Sequence, residues 1–529
     1  MGATRCSRRA LLGGAAALSL LGFFAFRPAA AAMPQGQAER FAFDALKERA
    51  RALAAAPYAS PVSALPPALT TLDYDGYRAI KFRPDHALWR GEKSFTVEFF
   101  HAGFLYPNPV HVNIVRPDGT VDPVRYDPAM FDLGGLNPRD LGSGKSDLGF
   151  AGFRLHYAMH RPMEYDEFAV FLGASYFRLI GSGQQYGASA RGIAVGAGLP
   201  RGSEEFPAFR EFWIEEPVPG ATEVTVSALL DGPSVAGAYR FRLTPGAETG
   251  ALVEAALYPR KPIERLGLAP LTSMFLYGEY GGERFDDFRP EVHDSDGLLI
   301  RTADDEWIWR PLVNVKDERL TDFPATNLKG FGLLQRDRDF ANYLDAEGRE
   351  ERRPSLWIEP VGAAWGDGIV QLFEYESDTD YDDNMVASWI PRRPVGPATP
   401  IEIAYRVTAF GERPDWPPIG RAVRTKIGSA ERLRPTKPPS PERRFFMIDF
   451  EGGELPLRLD GQPVEPEVSS SSGEIVMPVV QRVPQTGGWR LYFEFRPAAG
   501  QAAELMARLQ LQGRQITETW RFSWQAKPA

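Results

Sequence analysis

Glu291-Val292-His293-Asp294-Ser295-Asp296 packs three carboxylates and an imidazole into six residues, with Arg289 just before them and Trp307 and Trp309 soon after. Carboxylates transfer protons, and indoles stack on the apolar faces of sugar rings. The bland alternative is a charged turn joining two strands. A second acidic run holds Glu374, Glu376, Asp378, Asp380, Asp382 and Asp383, followed by Asn384. From Glu374 to Asp382 the acids recur at every second residue. On an extended chain that spacing sets the carboxylates on one side, where they repel. A carboxyl held among like charges keeps its proton to higher pH, as a general acid must. Asp378-Thr379-Asp380-Tyr381-Asp382 also begins like a calcium loop, but the glycine and the distant glutamate of that loop are missing. Two separated carboxylate groups together with tryptophans suit glycoside hydrolysis. One carboxylic acid protonates the leaving oxygen while another carboxylate activates water. Trp307, Trp309, Trp357, Trp365 and Trp389 are candidate sugar platforms, and core packing is the competing reading for each.

Other chemistries find little support. There is no P-loop, dinucleotide fingerprint, zincin helix or nucleophile elbow. Of the six histidines only His156 and His160 stand four apart, without the glutamate of a zinc helix, so no metal and no cofactor are expected. The only cysteine is Cys6, which leaves the rest of the chain without thiolate or disulfide chemistry. Cys6 lies in a leader expected over residues 1–32: Ser7-Arg8-Arg9 precedes an apolar run from Leu11 to Phe26, and Ala29 to Ala32 offer a cleavage site. A twin-arginine signal of this kind directs bacterial export of a folded protein, which places the mature chain in the periplasm. An uncleaved anchor is the alternative. Without the leader's four basic residues, 56 basic residues face 69 acidic ones, a net charge of −13. Nucleic acid is therefore a poor partner, whereas a neutral glycan is compatible.

The elements that must position these residues are mostly strands. Phe41 to Pro57 reads as one helix, with Phe43, Leu46, Ala50 and Leu53 at helical spacing. After it come alternating or apolar runs bounded by turn residues, among them Thr96–His101, Glu167–Gly173, Val224–Leu230 and Ile401–Phe410. Prolines cluster from Pro414 to Pro441, so 414–440 is the expected linker between a domain over 33–413 and a second over 441–529. The second domain has several short alternating strands in about 90 residues, the pattern of an immunoglobulin-like sandwich.

Several runs resemble the periplasmic glucan biosynthesis protein family, proteins G and D. They include Gly149-Phe150-Ala151-Gly152-Phe153-Arg154, Phe171-Leu172-Gly173-Ala174-Ser175-Tyr176-Phe177-Arg178, Ser189-Ala190-Arg191-Gly192, Arg289 to Leu298, Trp307 to Leu312, Gly330 to Arg338, and Arg353-Pro354-Ser355-Leu356-Trp357. The resemblance covers nearly the whole mature chain, and the twin-arginine leader resembles the D branch. It implies an all-β protein: a large N-terminal β-sandwich of galactose-mutarotase-like type and a small C-terminal immunoglobulin-like β-sandwich. It further implies a role in osmoregulated periplasmic glucan biosynthesis, as an inverting endo-β-1,2-glucanase. A cyclising transglycosylase and a non-catalytic glucan-binding scaffold are the alternatives. The family's general acid is an Asp before Asn, which matches Asp383. Its base is the first Asp of His-Asp-Ser-Asp, which matches Asp294 and acts through a relay. Trp307, Trp309, Trp357, Trp365, Tyr176, Arg178, Glu291, His293 and Asp296 are the expected substrate contacts. β-1,2-Glucan is the expected partner, with the membrane glucan synthase as a second. Two features depart from the family pattern: Asp382 directly precedes Asp383, and the loop approaches it through Thr379-Asp380-Tyr381.

Overall fold

A computed structural model describes residues 40–61, 65–141, 148–161, 164–199, 204–429, 443–459 and 461–525. The leader expected over 1–32 lies outside the described residues. The expected helix is present as Phe43–Ala55, and it buries Leu46 and Ala50 against Trp213, Leu229, Ala238 and Tyr258. No described helix is long and apolar enough to cross a membrane.

Apart from short helical turns such as Tyr74–Ala79, the regular structure that remains is β, in which two large sheets face each other. A ten-stranded sheet includes Phe95–His101, Phe150–Tyr157, Asp166–Leu172, Tyr176–Leu179, Ser189–Arg191, Leu266–Ser273, Met385–Pro391 and Gly368–Glu374. Along each strand one set of side chains points inward: Val97, Phe99, Phe153, Phe171, Phe177, Leu271, Leu372 and Ala387 all join one buried cluster. Their partners there come from a fifteen-stranded sheet and include Phe212, Phe241, Val253, Phe331, Ile358 and Val407. Phe171 meets Phe241 with ring centroids 5.1 Å apart, and Phe153 meets Phe212 at 5.0 Å, so aromatic edge contacts join the two layers. The outward set on the ten-stranded sheet is polar or aromatic, with Tyr176, Arg178, Ser189, Arg191 and Thr272 among it. That face carries the candidate site.

The C-terminal strands form a second sandwich, but it is not an appended bead. Thr519–Trp524 pairs in parallel with Trp307–Pro311, so the large sheet runs on from one sandwich into the other. A four-stranded sheet of Arg421–Ser429, Arg444–Glu451, Gly488–Arg496 and Glu474–Val483 closes the second sandwich. Arg421–Ser429 falls inside the segment expected as linker, where it pairs with Arg444–Glu451. Prolines mark its flanks, not its body, which is why the composition reading joined them into one irregular stretch. Residues 430–442 of that stretch lie outside the described residues.

This continuity relocates three tryptophans. Trp307, Trp309 and Trp357 are 5%, 3% and 2% exposed and share a core with Phe446, Leu491, Trp520 and Phe522 of the second sandwich. Trp307 stacks on Trp357 at 5.9 Å, and Trp416 closes on both edge-on. They fill the seam between the sandwiches and have no face to offer a sugar.

Candidate active site

The two acidic runs meet across one short strand. Leu266–Ser273 leads into Phe275–Tyr277, and Phe275 and Tyr277 pair with His293 and Val292. The backbone N–H of Asp294 donates to the carbonyl of Met274 at 2.8 Å, and Ser273 Oγ donates to Ser295 Oγ at 2.9 Å. On the opposite edge Ser273 pairs with Met385. There Asn384 accepts from the N–H of Phe275 at 2.8 Å and donates to its carbonyl at 3.0 Å. Its amide also donates to the carbonyl of Tyr375 at 3.0 Å. Asp294 and Asp383, the residue before Asn384, are therefore held on the two flanks of the same strand. Two inter-strand spacings set their backbones about 10 Å apart.

Side chains lock this arrangement. Asn314 donates to the carbonyls of Leu276 and Ser377 at 3.0 and 2.8 Å and accepts from the N–H of Ser377, so it ties the acidic loop to the central strand. Arg289 reaches Asp380 at 3.0 Å, Asp345 at 3.3 Å and Asp287 at 2.7 Å. It thereby links the first acidic run to the second. The five acids spaced by two do not form a one-sided comb. The strand ends at Glu374, and the loop beyond it sends each acid elsewhere. Glu374 is fully buried and accepts from Arg310, Arg319 and the N–H of Val313. Asp380 faces Arg289, and Asp382 accepts from Ser377 Oγ at 3.4 Å.

The two leading acids have different company. Asp294 is buried, and the guanidinium of Arg353 stands against its Oδ1. Burial brings Arg353 down to about 10, still a cation at neutral pH. Asp383 is half-buried, and its carboxylate has no cationic partner within ion-pair distance among the described residues. Its carbonyl accepts from Tyr375 Oη at 2.5 Å. Burial raises the Tyr375 phenol, as does Asp383 beside it, so that phenol remains a donor. Arg191 and Tyr176 also face Tyr375. Arg191 lies 4.6 Å from the centroid of Tyr176 and donates to Glu204 at 2.9 Å. Arg178, exposed on the same sheet face, donates to Ser189 Oγ at 2.7 Å. Tyr176 and Asp383 thus both neighbour Tyr375.

Glu291, His293 and Asp296 face away from Asp383, toward the seam. The two N–H groups of the Gln335 amide are shared among the His293 carbonyl, Tyr343 Oη and the Glu350 carbonyl. Its oxygen is left to accept from His293 Nδ1 at 2.9 Å. His293 Nε2 points at Glu291 Oε2, 3.1 Å away, and Asp296 is 3.8 Å off. Both ring nitrogens then donate, and the ring is an imidazolium. Burial alone would lower its pKa, but Asp296 and Glu291 outweigh burial and hold it at about 9. A cavity of about 30 Å³ beside these residues is closed by Glu279, Trp309 and Thr425. Burial pushes Glu279 up to about 8; the Thr425 N–H opposes this, and Glu291 and Asp296 add to it. Ligand atoms of Glu291, His293 and Asp296 lie within 4.8 Å of one another, a spacing a metal site would share. Within this group His293 donates to Glu291, and Asp296 Oδ2 accepts from the N–H of Asp337 at 3.0 Å.

Trp365 lies elsewhere. It lines a groove of about 910 Å³ with Trp389 and Ile403. That groove sits at the Gly368 end of Gly368–Glu374, whereas the acidic loop leaves from the Glu374 end, about 20 Å along the strand. The exposed rings near the acids are Tyr381 and Phe288, at 86% and 77%. Each adjoins a member of the Arg289–Asp380 bridge. Sequence reasoning favoured indoles and passed over them. It also missed Arg353 and Arg191, whose only signal was membership of Arg-Pro-Ser and Ser-Ala-Arg-Gly runs.

Residues 41–524 match the family model described as "Periplasmic glucan biosynthesis protein, MdoG". Glucans biosynthesis protein G of Bradyrhizobium diazoefficiens is 43% identical over 520 residues, covering 98% of this chain and 99% of the relative. Glucans biosynthesis protein G of Rhodopseudomonas palustris is 44% identical, with 98% and 99% covered. Glucans biosynthesis protein D 1 of Ralstonia nicotianae is also 44% identical, with 95% and 96% covered. Identity of this level over whole chains, with one family model spanning both sandwiches, makes the chain a member of the MdoG family of periplasmic glucan biosynthesis proteins.

Proposed function

We propose that this chain is a periplasmic enzyme acting on β-1,2-linked glucan, an inverting endo-glucanase of the D type exported through its twin-arginine leader. The observation that carries the reading is the shared strand: Asp294 on one flank of Ser273–Phe275 and Asp383 on the other. Inverting glycosidases need their two carboxyl groups roughly 6.5–9.5 Å apart, with room for water between. Backbones about 10 Å apart, two inter-strand spacings, are compatible with that span. Asp383, free of a cation among the described residues, protonates the leaving glycosidic oxygen. Asp294, paired with Arg353, accepts the proton of the attacking water through a relay. Tyr381, Phe288 and Tyr176 offer ring faces to glucose units, and Arg178 lines the approach.

Incubation of the mature protein with linear β-1,2-glucan tests this, with product size followed by mass spectrometry. Shorter linear products are expected. Products one water lighter than linear chains would assign a cyclising transferase instead. Binding without any change in chain length would leave a scaffold that serves the membrane synthase.

A further inference from the structure

At one end of the ten-stranded sheet three side chains meet that the acidic site does not use. His160 lies in the turn after Phe150–Tyr157, Asp166 begins Asp166–Leu172, and Ser182 follows Tyr176–Leu179. His160 Nδ1 is 2.9 Å from Asp166 Oδ2, and His160 Nε2 is 2.6 Å from Ser182 Oγ. Asp166 Oδ2 also accepts from the N–H of Met159 at 3.3 Å, which fixes the carboxylate beside the ring. An ionised carboxylate only accepts, so Nδ1 carries the proton. Nε2 then presents its lone pair to the serine hydroxyl, which donates to it. That is the order of nucleophile, base and orienting acid that activates a serine.

The surroundings leave room for a substrate. His160 is 46% exposed on its side chain. Ser182 stands between Gly181 and Gly183. Gly183 has φ 76°, and a side chain there would meet nothing within 4 Å, so the space above the loop is open. The Ser182 N–H is spent on the carbonyl of Gly246 at 2.9 Å. The N–H of Gly183 takes no backbone acceptor among the described residues. The amide after a nucleophilic serine is a recurrent donor to the oxyanion of acyl transfer.

We propose that Ser182, His160 and Asp166 form a second catalytic site, one that hydrolyses O-acyl esters with small acyl groups. Ser182 Oγ bonds to the ester carbonyl carbon as its proton passes to His160 Nε2. The carbon–oxygen bond to the alcohol breaks, and the alcohol leaves with that proton. Water then adds to the acyl-serine, its proton again taken by His160. The carboxylic acid departs and Ser182 regains its hydrogen. No oxidant, reductant or metal enters the balance. The open approach suits a short acyl group, which needs no apolar pocket to seat it.

The test uses the whole mature chain with p-nitrophenyl acetate as substrate and a fluorophosphonate as covalent probe. Expected are one adduct, mapped to Ser182, and an acetate release that falls at least 100-fold in Ser182→Ala and His160→Gln. Asp166→Asn should also slow release strongly, because the ring loses the partner that fixes its tautomer. Action on β-1,2-glucan should be the same in Ser182→Ala as in the unaltered chain, which keeps this site separable from the acidic one. Equal acetate release by the unaltered chain and Ser182→Ala would overturn the proposal. So would a probe that leaves Ser182 unmodified.

Discussion

In the proposed mechanism Asp294 and Asp383 are the same residue type given opposite tasks. Among the described residues no cation lies within ion-pair distance of the Asp383 carboxylate, whereas the Arg353 guanidinium stands against buried Asp294. Arg353→Met should leave that buried carboxylate unpaired and destabilise the fold by about 3 kcal/mol. Glucan turnover should fall with it, and Arg353→Lys should recover part of both, as read by chemical denaturation beside an activity assay. Tyr381 and Phe288 carry the prediction for binding. Tyr381→Ala should raise KM about tenfold, roughly 1.4 kcal/mol of lost stacking, and leave the melting temperature unchanged because the ring is exposed. At this scale sequence reasoning singled out both acids by their match to the family's motifs. It misplaced the aromatic contacts, because Trp307, Trp309 and Trp357 look the same in sequence whether they face a sugar or a seam. Only the pairing of Trp307–Pro311 with Thr519–Trp524 decides that, and those segments lie some two hundred residues apart.

At the scale of elements, the short strand Phe275–Tyr277 does the positioning, and Asn384 is its clamp. Asn384 is fully buried and makes three hydrogen bonds to backbone atoms. Asn384→Leu should strand those groups, cost about 2 kcal/mol or more in stability, and lower kcat by letting Asp383 drift. Circular dichroism melts and single-turnover kinetics check the two effects. The strands themselves were legible, since inward Phe, Leu and Val alternate with polar residues along them. The acidic loop was not. Its period of two extends the pattern of Gly368–Glu374 beyond the point where pairing stops, so a strand reading ran on into a turn. A one-residue strand end leaves no periodicity to read.

The whole molecule depends on its seam. Arg336 pairs with buried Glu518 at 2.6 Å and lies 3.6 Å from the centroid of Trp309. His293, at about 9, and Glu279, at about 8, both hold protons more tightly when folded than their ordinary values of 6.5 and 4.5. Their contribution is fully present below those ordinary values and is lost as pH rises through 8 and 9. For His293 this is on the order of 3 kcal/mol. Calorimetry should find the melting temperature falling between pH 6.5 and 9.5, with a shallower fall in Glu279→Gln. A chain ending at Glu412 should expose Trp307, Trp309 and Trp357 and aggregate. Proline clustering and strand spacing suggested a separate C-terminal sandwich, and the resemblance a larger one before it. The sheet that runs from one into the other was not legible, because parallel pairing of distant segments leaves no local mark.

The central claim is that Asp383 and Asp294 act as acid and base on a β-1,2-glycosidic bond. Its most direct test follows the anomeric configuration of the first products from linear β-1,2-glucan by proton NMR, for the unaltered mature chain, Asp383→Asn and Asp294→Asn. The account predicts α-configured reducing ends from the unaltered chain, and at least a 100-fold loss in each variant with glucan binding retained. Retention of the β configuration, or full activity in Asp383→Asn, would contradict it.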